Sequence, residues 1–157
     1  FCGRAFAKFR ELLARAGEDR LTLRLWMQSQ PWHNFSGPVV RTVLAATGPG
    51  GGKDAAWEVM AAIFAHREDF VLVEHRTGPN LELSPAGILR RIGEISGRDL
   101  KPAFEAPGVT NVIKAHARHG RRLGIHVSPT FVVDGVQRDD MGSGDDIGKW
   151  LADLGLT

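Results

Sequence analysis

The sequence predicts an α/β domain that carries a helical insertion, and three observations predict it. Arg20 to Met27 alternates Leu21, Leu23 and Leu25 against Thr22, Arg24 and Trp26, the period of a strand with one buried face. From about residue 37 to about residue 123, apolar residues recur at helical spacing in successive runs. Near the end, Gly124-Ile125-His126-Val127-Ser128-Pro129-Thr130-Phe131-Val132-Val133-Asp134-Gly135 reads as a loop, an apolar strand and a tight turn. Proline cannot donate to a ladder, so Pro129 must open its strand, and X-Pro is the one peptide bond that readily turns cis. Asp134-Gly135 is a hairpin signal. The order is helix, strand, a block of helices, then strand, turn and helix.

The first helix spans Phe1 to Ala16, with Phe6, Phe9, Leu12 and Leu13 on one face and Gly17-Glu18-Asp19 ending it. Cys2 falls at or just before the first turn. Backbone N–H groups and the helix dipole favour a thiolate there; a small apolar residue at a helix end is the plain alternative. After the alternating strand comes the loop Gln28-Ser29-Gln30-Pro31-Trp32-His33-Asn34. Loops at the carboxyl ends of strands are where α/β folds place ligands, so Trp32 and His33 are candidate site residues, His33 because imidazole titrates near neutrality. A loop tryptophan covering a sheet edge and a solvated histidine would explain them equally well.

Ser36 is expected to cap a helix to about Ala46, with Val39, Val40, Val43 and Leu44 inward. The run Thr47-Gly48-Pro49-Gly50-Gly51-Gly52-Lys53 invites comparison with a phosphate-binding loop. It has Thr47 where that motif needs glycine, Asp54 where it needs Ser or Thr, and a helix rather than a strand before it. A flexible connection is expected instead. Asp54 should cap a helix to about His66 with Trp57, Met60, Ala61 and Phe64 as its core stripe. Phe70 to Glu74 is a short apolar run that suits a strand by itself. Thr77-Gly78-Pro79-Asn80 is a turn. Ser84-Pro85 starts a helix that buries Ile88, Leu89, Ile92 and Ile95 and stops at Gly97. Leu100 to Ala106 suits a short helix.

Val109 to Leu123 reads as a basic helix with Val112, Ile113 and Ala117 inward. His116 and His119 stand at i, i+3, but no carboxylate or thiol nearby completes a metal set, so a solvated basic face is expected. The helix lacks the interleaved aromatics of a nucleic-acid surface. Asp139, Asp140, Asp145 and Asp146 lack calcium-loop spacing. Asp145 or Asp146 should cap a last helix, Ile147 to Leu154, that packs Ile147, Trp150 and Leu151 inward.

Composition sets outer bounds. With 157 residues the chain is long enough to bury a sizeable core, and 43% hydrophobic and 24% charged residues are ordinary for a globular protein. Lys and Arg outnumber Asp and Glu by only 20 to 18, a weak lean toward acidic partners. No apolar run approaches a membrane span, so neither membrane nor nucleic acid is an expected partner. Cys2 is the one cysteine, which leaves no intrachain disulfide. The chain opens on Phe rather than Met, and the expectation is that its natural start lies upstream. Any leader is thereby hidden, and cytoplasm and periplasm both stay open.

Val127-Ser128-Pro129-Thr130-Phe131-Val132-Val133-Asp134-Gly135, with Gly124 before it and a helix carrying Trp150 after it, resembles the carboxyl-terminal part of the DsbA-like branch of the thioredoxin superfamily. The resemblance covers nearly the whole chain and implies one thioredoxin-like domain over residues 1–157 with a helical insertion at about 37–123. It implies a cis bond before Pro129. It also places Phe70 to Glu74 inside the insertion, as a helix end or loop. Phe1-Cys2-Gly3-Arg4 is similar to the second half of the family's Cys-x-x-Cys motif. Cys2 then matches the resolving cysteine, the attacking cysteine lies before Phe1, and the first strand of the sheet is missing from the chain as given. Upstream residues or a second chain, as in a homodimer, would supply that strand.

What the resemblance implies is a thiol–disulfide oxidoreductase, with Cys2 catalytic and Ser128, Pro129, Thr130, Trp32 and His33 facing the substrate. Its partners would be a thiol-containing protein or glutathione as co-substrate, with no metal and no bound cofactor. Two other readings share the fold: a glutathione-dependent transferase or isomerase of kappa-class type, and a non-enzymatic module that binds extended peptides beside Pro129.

Overall fold

The computed structural model describes residues 1–74 and 76–156. Contacts divide the chain into two units, Phe1–Trp26 with the segment from Leu123 onward, and Met27–Arg122.

In the first unit, α1 (Cys2–Ala16) ends at Gly17, whose φ of 87° no side-chain-bearing residue adopts easily and whose N–H donates to the Leu13 carbonyl. Its inward line is Ala5, Phe9, Leu12 and Ala16 rather than the line of larger residues through Phe6 and Leu13. The two alanines let a second helix approach closely. That helix is α7 (Ile147–Asp153), and its Trp150 is fully buried. Asp146 caps α7, accepting the Lys149 N–H at 2.8 Å, while the neighbouring Asp145 accepts from Gly142 N–H at 2.8 Å.

Arg20 to Trp26 keeps the expected alternation in burial, with Leu21, Leu23 and Leu25 half-buried and Thr22, Arg24 and Trp26 exposed. It is nevertheless not a strand. A ladder needs a second backbone alongside, and no described segment pairs with this one. The sheet of the described residues is a hairpin of β1 (Val132–Val133) and β2 (Val136–Gln137), in register Val132 with Gln137 and Val133 with Val136. Its two-residue turn has φ of 50° at Asp134 and 85° at Gly135, the pair of positive values that a type I′ turn requires. Arg138 N–H donates to the Phe131 carbonyl at 2.9 Å and extends the hairpin by one rung.

The second unit is helical: α2 (Ser36–Ala45), α3 (Lys53–Ala65), a 3-10 turn at Arg67–Asp69, α4 (Pro85–Ser96), α5 (Lys101–Glu105) and α6 (Pro107–Arg122). Helix α2 touches each of the other four and supplies Val43, Leu44 and the fully buried Thr42. Val59, Ile88 and Ile92 are fully buried with them. Helix α4 starts and stops where the sequence indicates: Ser84 caps it by accepting Gly87 N–H at 3.2 Å, and Gly97 closes it in the left-handed region.

Several expectations are corrected here. Ser36 is not a cap; its Oγ accepts the Gln30 N–H at 2.7 Å and folds the preceding loop. The buried stripe of α3 is Ala55, Ala56, Val59, Met60 and Ile63, so Ala61 is exposed, while Trp57 and Phe64 are only half-buried. The glycine run folds back on the end of α2. Gly52 N–H donates to the Ala46 carbonyl at 3.0 Å, and a Cβ on Gly51 would overlap that same carbonyl. Phe70 to Glu74 is not the strand that the run suits by itself but the loop that the resemblance implies; it buries Phe70 and Leu72 and makes an isolated bridge, Val73 with Thr77. In α6, Val112 is exposed and the inner face runs Val109, Ile113, His116, Ala117 and Gly120.

Candidate functional site: a thiol at a helix start and a cis-proline loop

Cys2 is the first residue of α1, and Phe1, whose carbonyl accepts the Ala5 N–H at 3.2 Å, precedes it as N-cap. Its side chain is exposed. Of the two readings of Cys2, a stabilised thiolate is the one that its surroundings do not favour. Crowding by protein pushes the thiol pKa up, and the Cys2 backbone amide, which pulls it down, does not overcome that. With its pKa raised from the ordinary thiol value, the group is a neutral thiol at neutral pH.

The Ser128–Pro129 bond is cis. Ser128, Pro129 and Thr130 are half-buried, and the Thr130 hydroxyl donates to the Val127 carbonyl at 2.8 Å, closing the loop on itself. Val127, just before it, is 61% exposed.

Trp150 joins these two elements. Phe131, two residues after Pro129, lies with its ring centroid 5.2 Å from that of Trp150. Phe9, on the helix that Cys2 begins, stacks on Trp150 at 6.0 Å. The Lys8 ammonium sits 4.3 Å from the Trp150 ring centre, donates to the Ser143 carbonyl at 2.9 Å and donates also to the Asp145 carbonyl. The indole N–H of Trp150 donates to the Gly142 carbonyl at 3.0 Å. The helix that Cys2 begins and the strand that follows Pro129 therefore pack on one residue, Trp150, through Phe9 and Phe131. The sequence pointed to the inward face of Trp150 but not to Lys8, whose role no spacing reveals.

Trp32 and His33 belong to the helical unit, not to the unit that holds Cys2 and Pro129. The expected insertion boundary near residue 37 left them outside that block; the contacts put the change at Met27. Trp32 is 48% exposed, and His33 is half-buried in a turn where its N–H donates to the Gln30 carbonyl and its carbonyl accepts the Ser36 N–H.

His116 is a further residue that the sequence reading placed on a solvated face. It is half-buried, and its Nδ1 accepts the Met27 N–H at 2.9 Å. Burial, and then the nearby His119, lower its pKa. The signal was available: Val109, Ile113, His116 and Gly120 recur at i, i+4, i+7 and i+11. Among the described residues, no group of three or more His, Cys, Asp or Glu side chains is placed to hold a metal ion, and no helix is long and apolar enough to cross a membrane.

No protein-family model and no curated protein matches the chain. A crystal structure from Pseudomonas syringae, described as a "putative protein-disulfide isomerase", does match: it is 47% identical, the alignment covers 97% of this chain and 85% of that one, and the TM-score is 0.93. The helical block, the terminal hairpin and the last helix thus form a thioredoxin-like fold with a helical insertion. At that identity and coverage, the chain belongs to the thioredoxin-fold family of this protein-disulfide-isomerase-like protein.

Proposed function

We propose that the protein is a thiol–disulfide oxidoreductase of the DsbA-like branch, acting on thiol- or disulfide-bearing proteins, with Cys2 as its resolving thiol. The observation that carries this reading is the exposed Cys2 at the start of α1, the helix whose Phe9 packs on Trp150 beside Phe131, which follows the cis Ser128–Pro129 bond. The relationship to a chain described as a protein-disulfide isomerase supports it.

In this reading the attacking cysteine stands three positions before Cys2, outside the sequence given. Its thiolate attacks one sulfur of a substrate disulfide. A mixed disulfide forms, and the other substrate sulfur leaves as a thiolate and takes a proton. Cys2 then loses its proton and attacks the enzyme-side sulfur of the mixed disulfide. The second substrate sulfur leaves, the enzyme dithiol is oxidised to a disulfide, and the substrate disulfide is reduced to two thiols. The reverse sequence oxidises a substrate dithiol. A thiol whose pKa is pushed up is a poor first attacker, but it serves an intramolecular second step, where proximity compensates for a small thiolate fraction. The backbone beside Pro129, with Val127 exposed, would receive the substrate chain in extended form. Glutathione, as the smallest thiol partner, is the co-substrate this chemistry would accept.

The test is reduction of insulin disulfides by dithiothreitol, with and without the natural polypeptide that contains this chain. Accelerated precipitation of the insulin B chain is expected. No acceleration by a correctly folded polypeptide would reject the assignment.

A further inference from the structure

The loop that presents Trp32 and His33 is tied at its stem to the inner face of α6. Met27 N–H donates to His116 Nδ1 at 2.9 Å, and the Gln28 side-chain amide donates to the His116 carbonyl at 3.1 Å. Gly120, one turn further along α6, makes room for that amide; a Cβ there would collide with the Gln28 side chain. At the loop's other end Gln30 N–H donates to Ser36 Oγ at 2.7 Å. All of these residues lie in the helical unit.

The first of these bonds depends on protonation state. An imidazole nitrogen accepts only while it carries a lone pair, so the Met27 bond requires the neutral ring with its proton on Nε2. Protonation puts a hydrogen on Nδ1, facing the Met27 N–H. A donor then meets a donor in a half-buried setting, and both groups lose their partner.

We propose that His116 is a pH-sensitive anchor of the Trp32–His33 loop: its neutral ring fixes the loop stem at Met27, and its protonation releases that stem. The groups around the ring do not oppose this. On α6, His119 disfavours a positive charge on His116. On α2 the charged side chain is Arg41, whose guanidinium donates to the Phe104 carbonyl and to Thr110 Oγ1. On α5 they are Lys101 and Glu105, which pair with each other at 4.0 Å. The causes acting on the ring, burial and then His119, both favour its neutral form. Because its folded pKa lies below the ordinary 6.5, the stabilisation is fully present above that value and is lost as pH falls through the lower, folded value.

The anchor stands apart from the redox reading, and its test needs no thiol chemistry. Amide exchange of Met27 is followed by NMR across the titration of His116 and corrected for the intrinsic pH dependence, in the wild type and in His116→Gln. Glutamine offers an acceptor oxygen that does not protonate in this range. In the wild type the protection factor of Met27 should fall about tenfold or more as His116 is protonated, the equivalent of one buried hydrogen bond. In His116→Gln it should stay flat, and His116→Ala should lack the protection at every pH. Unchanged wild-type protection through the titration, or an equal fall in His116→Gln, would overturn the proposal.

Discussion

Phe131 stands against Trp150 with ring centroids 5.2 Å apart and planes tilted by 60°, which seats the strand that follows the cis Ser128–Pro129 bond on a side chain of the last helix. Phe9 stacks on the same indole, so the helix that begins with Cys2 is seated there too. A single fully buried residue thereby supports both parts of the candidate redox site.

Removing that support should be costly. Trp150→Ala leaves a large cavity, strips Phe9, Phe131 and Lys8 of their common neighbour, and leaves the Gly142 carbonyl without its indole donor. A loss of about 3–5 kcal/mol is expected in chemical denaturation, as for large aromatic truncations in cores. Trp150→Phe should lose less, since most of the apolar contact survives.

Lys8 tests whether the foundation is polar as well as apolar. Its ammonium joins the Ser143 and Asp145 carbonyls beneath the Trp150 ring. Lys8→Met keeps the aliphatic stem and removes the donors. It should destabilise the fold by about 1–3 kcal/mol in urea denaturation, the cost of leaving partly buried carbonyls unpaired.

The Arg138–Asp140 pair makes a prediction about acid. The Arg138 guanidinium, hydrogen-bonded to Asp140 at 2.7 and 2.8 Å, holds that carboxyl down to about 2 from its ordinary 3.8. The folded state therefore favours the ionised form. The resulting stabilisation is complete above the ordinary value and is lost as pH falls through about 2. In an NMR titration, Arg138→Gln should return the Asp140 carboxyl toward 3.8; an unmoved titration would show that another group depresses it.

Two glycines should respond in opposite directions. Gly51→Ala drives a Cβ into the Ala46 carbonyl and should cost about 1–3 kcal/mol. Gly37 lies within α2 with open space where its Cβ would be, and Gly37→Ala should stabilise by about 0.4–1 kcal/mol through the unfolded chain. Thermal melts of the two variants give the comparison.

The parts of this fold written into local chemistry were legible in the sequence. Ser84, Pro85 and Gly97 bound α4, Asp146 caps α7, and Asp134-Gly135 turns the hairpin, because each depends on one or two residues meeting a backbone requirement. What depends on distant partners was not legible. The alternation of Arg20 to Trp26 fixes which side chains turn inward but supplies no second backbone, so it predicted a strand where the described residues form none. Ala5 and Ala16 of α1 and Ala55 and Ala56 of α3 are buried although apolar volume does not single them out, because a close helix neighbour admits small side chains. Ser36 looked like a cap, yet its hydroxyl serves Gln30 across the loop. At the candidate site, Cys2 and Pro129 were marked by their local settings. Their common support on Trp150, and the partnership of His116 with Met27, arise only in the folded chain.

The central claim is that Cys2 is the resolving thiol of a disulfide-exchange site. Its most direct test compares the natural polypeptide with its Cys2→Ser variant, each incubated with a disulfide-bonded protein substrate and run on non-reducing gels after acid quenching. The variant should stall at the first step: turnover is lost and a covalent enzyme–substrate mixed disulfide accumulates, released by dithiothreitol. A variant that turns over at the wild-type rate, with no trapped complex, would contradict it.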